Sequence, residues 1–164
     1  MSFLENFLFP LTLGAALGCG LVAGLFFAFS NFVMSALGRI PPGAGIAAMR
    51  SINVTVLNPL FFTVFMGTAA LSLLLAVFSL LRWQHPASAW LLAGSVLYLA
   101  GGFLVTAACN VPLNDALAGV DPLNPQSIAV WRDYVARWTP WNHVRTVASF
   151  LAAAAFSVGL SRQS

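Results

Sequence analysis

Four long apolar runs alternate with short polar stretches along the chain. They cover about Phe7 to Phe32, Pro59 to Leu81, about Ala87 to Cys109, and Pro140 to Leu160. Each reaches the roughly 20 apolar residues that a helix needs to cross about 30 Å of hydrocarbon. The stretches between them carry breakers. Gly38 and Pro41-Pro42-Gly43 close the first run, and Arg82-Trp83-Gln84-His85-Pro86 makes a tight turn after the second. Residues 44 to 57 read as a short helix, stopped where Pro59 disfavours helical geometry at Asn58. Residues 116 to 124 read as a loop. Pro125 to Arg137 reads as a short amphipathic helix lying at the interface, with Trp131, Tyr134, Val135 and Trp138 at helical spacing. Thr139 suits an N-cap and Pro140 the first position of a helix, so the fourth span is expected to start there. The pattern predicts an all-α, integral membrane four-helix up-and-down bundle, with short interfacial helices at one end, as a single domain over 1–164.

Composition supports this. The chain is 60% hydrophobic and 7% charged, where soluble domains carry about 25% charged residues, and its mean hydropathy is +0.89. The net charge of +3 comes from seven Arg and no Lys, too sparse for a nucleic-acid footprint. The bilayer is the expected partner, in a cell membrane crossed several times. An even number of spans puts both termini, at Ser2 and Ser164, on the same side. A plain count of Arg39, Arg50, Arg132, Arg137 and Arg145 against Arg82 and Arg162 points the richer end to the cytoplasm. Cys19 and Cys109 fall at different depths, so buried thiols are expected rather than a disulfide. The first run holds Gly14-x-x-x-Gly18 and Gly20-x-x-x-Gly24, spacings that let helices approach closely. Gly20, Gly24 and Asn31 share one face, which predicts a tight seam ending at an inward amide. The same glycine-rich run is a candidate surface for a homo-oligomer.

Antiparallel spans bring the polar residues together. Odd spans end and even spans begin on one side, so Asn31, Asn53, Asn58, Asn110, Asn114, Asn142, His143 and Arg145 converge at one end of the bundle. Thr106, Asn110 and Asn114 are spaced by four, and Asn142, Arg145, Thr146 and Ser149 form one helical stripe. Lipid offers such groups no partner, so they face protein, water or a ligand. Trp138 and Trp141 flank them and serve either as interfacial anchors or as walls of a site. Asp115 is either a loop carboxylate or the counter-ion of Arg145. The chain has two His, and His85 sits in the turn at the other end, so the two-His set of a non-haem iron centre is not available. No metal or cofactor is expected; haem with His143 as axial ligand is the alternative.

With Asn110-x-Pro112-x-Asn114 followed by Trp138-x-x-Trp141-Asn142-His143-x-Arg145-Thr146, the chain resembles the anthrone oxygenase-like family of small four-span membrane proteins. The glycine-rich first span and the Asn53/Asn58-Pro59 segment are similar too. The resemblance implies a four-span fold and oxidation of an anthrone-type carbon acid to a quinone. Once deprotonated, such a substrate can react with O₂ without a metal. It needs a base, donors to the developing oxyanion and flat apolar walls. His143 is then the candidate base, with Asn142, Asn110 and Arg145 as donors and Trp138 and Trp141 as walls; Asn114, Asn31 and Asn53 complete the expected binding set. The same residues suit a non-enzymatic binding or scaffold protein for a lipid-soluble aromatic or quinone. A purely structural partner of another membrane protein is the third reading.

Overall fold

The computed structural model describes residues 3–163, with side chains from Phe7 onward. Ser2 and Ser164, at which the shared side of the termini was expected, lie outside the described residues. The architecture is all-helical. Helix α1 carries the span Phe7–Leu37, α2 is the short helix Pro42–Thr55, and α3 is Pro59–Leu81. Helix α4 runs Ser88–Ala118 and α5 Ser127–Ser161. Four of these, α1, α3, α4 and α5, are long and apolar enough to cross a membrane. The chain is therefore a multi-pass membrane protein built as a helical bundle.

α1 and α5 form the central pair; α4 packs along α5, and α3 closes the bundle against α1 and α4. Small residues make these approaches possible. A side chain at Gly18 would collide with Thr68, and one at Gly101 with Ala148. A methyl at Gly94 would come within 2.9 Å of the Phe156 ring. Two apolar clusters result. One, through the spans, is centred on Phe65, Leu91, Tyr98 and Phe156; the other, at the α2 end, on Met49, Trp131, Tyr134 and Trp138. Along α1, α4 and α5 alike, a layer of polar side chains separates the two clusters.

Four expectations need correction. Gly20 and Gly24 are exposed, and a Cβ at either meets nothing within 4 Å, so they make no seam inside the bundle. The inward face of α1 carries Ala15, Cys19, Val22 and Phe26, with Gly14 and Gly18 beside it against Leu71 and Thr68. A run that is apolar all round does not declare its inner face, because lipid accepts either. Asn31 is exposed too, and Ser30 occupies the inner position next to it. The third span does not stop near Cys109 but continues through Pro112 to Ala118, so the loop begins at Gly119. Finally, the segment before Pro140 is no separate interfacial helix: α5 is continuous for 35 residues with Pro140 inside it. Thr139 is therefore no N-cap. Pro140 leaves the Ala136 carbonyl without its helical N–H, but both residues lie on the exposed face, away from the packed core.

Both Cys19 and Cys109 are free thiols; Cys19 is buried and Cys109 half-buried. The Gln163 side chain donates from Nε2 to Thr12 Oγ1 at 2.9 Å, tying the end of α5 to the beginning of α1.

Candidate functional site

The polar layer is built by irregular turns in two helices. Phe29–Val33 in α1 and Leu97–Leu104 and Thr106–Asn110 in α4 are π-helical, with i→i−5 bonds such as Met34 N–H to the Phe29 carbonyl and Val111 N–H to the Thr106 carbonyl. Pro112 has no N–H for the Ala108 carbonyl, which breaks the α pattern next to the last of these turns. π turns shift the helical phase and are frequent at functional sites. Here they place Ser30, Thr106 and Asn110 opposite the polar stripe of α5.

Arg145 is the centre. It is 5% exposed, and its neighbours are neutral. Nη2 donates to Asn142 Oδ1 at 2.6 Å and Nη1 to Thr106 Oγ1 at 3.2 Å. Its Cζ lies 4.0 Å from the centroid of Phe26 and 5.0 Å from that of Trp138, so ring faces supply cation–π attraction to the guanidinium. Asn142 is fully buried and fully used: Nδ2 donates to the Phe26 carbonyl at 2.8 Å and to Ser30 Oγ at 2.7 Å. Ser30 and Thr146 hydroxyls pair at 3.0 Å beside it. Asn114 Oδ1 accepts from Trp138 Nε1 at 2.9 Å and from Tyr134 OH at 2.8 Å, fixing an aromatic column of Trp131, Tyr134 and Trp138 on α5. Asn110, fully buried, donates from Nδ2 to the Trp138 carbonyl at 3.3 Å.

A cavity of about 370 Å³ lies against this cluster. Its walls are Leu25, Phe26 and Phe29 of α1, Met49, Ile52 and Val54 of α2 with Val56 just after it, Phe61 of α3, and Trp138 of α5; Arg145, Thr106, Asn53, Asn114, Asp115 and Arg50 are its polar lining. The volume is within the range of small-molecule sites, and the composition, apolar with a few placed polar groups, is what such sites have.

The expected residues divide accordingly. Trp138, Arg145, Asn114 and Asn53 line the cavity. Asn142 and Asn110 lie behind its wall and hold Arg145 and α5 in place. His143, Trp141 and Asn31 lie elsewhere: all three are exposed and none lines the cavity. With Asn142 facing inward, His143 is turned about 100° away on the same helix. It offers no base and no axial ligand inside this cavity. Asp115 forms no ion pair with Arg145; it is exposed and lines the cavity. Among the described residues no three His, Cys, Asp or Glu side chains gather as a metal site. Thr106, Ser30, Tyr134 and Phe26 were absent from the expected set. Thr106 had a signal in its spacing of four from Asn110; the inward turn of Ser30 depends on the π turn that contains it.

The family model described as anthrone oxygenase matches residues 61–155. That stretch is more than half of the chain and holds the α4 and α5 parts of the polar cluster, Thr106 to Asn114 and Trp138 to Ser149. The chain belongs to the anthrone oxygenase family. No curated protein and no solved structure matches it. Membership supports an oxygenase-like function in a multi-span membrane protein. Substrate and residue roles have to be argued from the site.

Proposed function

We propose that the protein is a membrane oxygenase-like enzyme acting, without a metal or other cofactor, on a flat, apolar phenolic or anthrone-type substrate held in the Arg145 cavity. The observation that carries this reading is an aromatic-walled cavity with one buried, unneutralised guanidinium, in a chain of this family. An anthrone-type substrate loses a proton from its ring CH₂ to give an electron-rich oxyanion. Reaction with O₂ then converts CH₂ to C=O; one oxygen atom enters the product and the other leaves as water. Trp138, Phe26 and Phe29 are the flat walls, and Arg145 the donor that stabilises the oxyanion. Asn142, behind the cavity wall, orients Arg145 rather than touching the substrate, and Thr106 holds Arg145 from the lining itself. Asp115 is the carboxylate among the cavity's lining residues and replaces His143 as the candidate proton acceptor.

The protein works in a cell membrane with both termini on one side, a reading supported by the four spans and by the Gln163–Thr12 bond. Impermeant thiol labels should reach cysteines placed at Asn124 and Gln163 from opposite sides. The activity test is O₂ uptake with a supplied anthrone, using purified protein in nanodiscs. Uptake above the uncatalysed rate with quinone formed is expected; no acceleration overturns the enzymatic reading. The outward position of His143 favours a second reading, binding of a lipid-soluble aromatic or quinone without turnover. Saturable binding with no acceleration of O₂ uptake would select it.

A further inference from the structure

Arg145 carries a charge that the protein does not balance. Among the described residues no carboxylate lies within ion-pair distance of it. Its Nε is buried without a hydrogen-bond partner, and so is the Nδ2 of Asn53, and both residues line the cavity. Both groups are donors, and the Asn53 amide also lies beside the Tyr134 hydroxyl. The charged side chains of the lining are Arg50, Arg145 and Asp115, two cations and one carboxylate, a surplus of one positive charge. Arg50 donates to the Val120 carbonyl at 3.1 Å, and Asp115 is exposed. His143, on the same helix as Arg145, is exposed and off the lining. A guanidinium removed from water and left with neutral partners is costly, and a charge-assisted bond to an oxyanion is the strongest remedy open to it.

We propose that the cavity binds its ligand as an oxyanion on an apolar body, with Arg145 as the fixed counter-charge and the Asn53 amide as a second donor. The proposal rests on reading this cavity as the functional site. A weak acid would enter from the bilayer in its neutral form and ionise in place, its proton passing to the exposed Asp115 carboxylate of the lining and on to water. Two sources supply this chemistry, an aromatic phenolate or enolate and the carboxylate of a free fatty acid.

The test uses protein in nanodiscs and the hydroxyanthraquinone dye alizarin, whose colour reports ionisation of its phenol. At a pH where the free dye is neutral, bound dye should show the anion spectrum. Its dimethyl ether, which has no phenol left to ionise, should bind about tenfold to a hundredfold more weakly, the range expected for loss of a charged hydrogen bond. Arg145→Gln should bind dye in the neutral colour only, and Arg145→Lys should keep the anion colour. Displacement by oleate marks the carboxylate source; displacement by hydroxyanthraquinones alone marks the phenolate. Neutral-coloured bound dye, or a dimethyl ether that binds as tightly, overturns the oxyanion proposal and leaves the cavity as a binding site. Failure of both alizarin and oleate to bind overturns the proposal and the site together. Should Arg145→Gln not fold, the dimethyl-ether comparison on the unaltered protein still decides.

Discussion

Asn142 and His143 are neighbours in the chain with opposite environments, and the difference sets what each substitution should do. Asn142 makes three hydrogen bonds in the buried layer, two as donor and one as acceptor from Arg145. Asn142→Leu removes them all and strands the Phe26 carbonyl and one guanidinium nitrogen. Leaving a buried polar group unsatisfied costs about 1–3 kcal/mol, more for a charged one. A marked drop in thermal stability in detergent is therefore expected, together with loss of ligand binding as Arg145 is released. His143→Ala removes an exposed side chain, so stability should hold to within about 0.5 kcal/mol, and O₂ uptake with an anthrone should persist. Asp115→Asn should lose that uptake while still binding. Full loss in His143→Ala would restore the imidazole as base and require a rotation of α5 that the structure does not show. The gathering of amides and Arg145 at one bundle end was legible from sequence, because antiparallel spans allow little else. The choice between Asn142 and His143 was not, since both lie within or beside the same stripe until burial separates them.

At the scale of elements, Pro140 and the glycines of α1 show what patterns conceal. The buried positions of α5 are Trp131, Tyr134, Trp138, Asn142, Arg145, Ser149, Ala152, Phe156 and Gly159, among others. Each step is three or four residues, with no break at Pro140, so the continuous helix was readable in the sequence. The change from aromatic to amide to small residues along that stripe hid it, because a hydrophobicity scale sees three different segments. A proline inside a helix costs about 3 kcal/mol relative to alanine. Pro140→Ala should then raise the thermal midpoint; at the first position of a separate helix it would leave it unchanged or lower it. In α1 the expected seam was assigned to the wrong pair. Gly18→Leu must displace Thr68 and should lower stability, since overpacking costs about 1–3 kcal/mol. Gly24→Leu faces open space and should leave the monomer's stability unchanged. A loss at Gly24 as large as that at Gly18, together with a change in oligomeric state, would assign the outer glycines to contact between copies.

At the scale of the whole molecule, the bundle is closed at one end and parted at the other. α3 packs along residues 88–104 of α4 and draws away from it toward Ala118. Where the two part, the cavity is rimmed by Val54, Leu57 and Val111, exposed at 73%, 60% and 41%. An exposed apolar rim is costly in water and comfortable in lipid, so the mouth is expected to open sideways to the bilayer, beside α2. A ligand that partitions into the bilayer is then expected to reach the site by this route without crossing the aqueous phase. Leu57→Trp and Val111→Trp should narrow the mouth. Loading and release of alizarin from nanodiscs, followed by stopped flow, should both slow, with the dissociation constant little changed, because a gate acts on both rates alike. Leu81→Trp, at a still more exposed position at the far end of α3, serves as the control and should alter neither rate. A weaker dissociation constant with an unchanged loading rate would make Leu57 and Val111 contact residues of the bound ligand. Unchanged loading, release and affinity in both rim variants would mean that the ligand enters past α2 from the aqueous side.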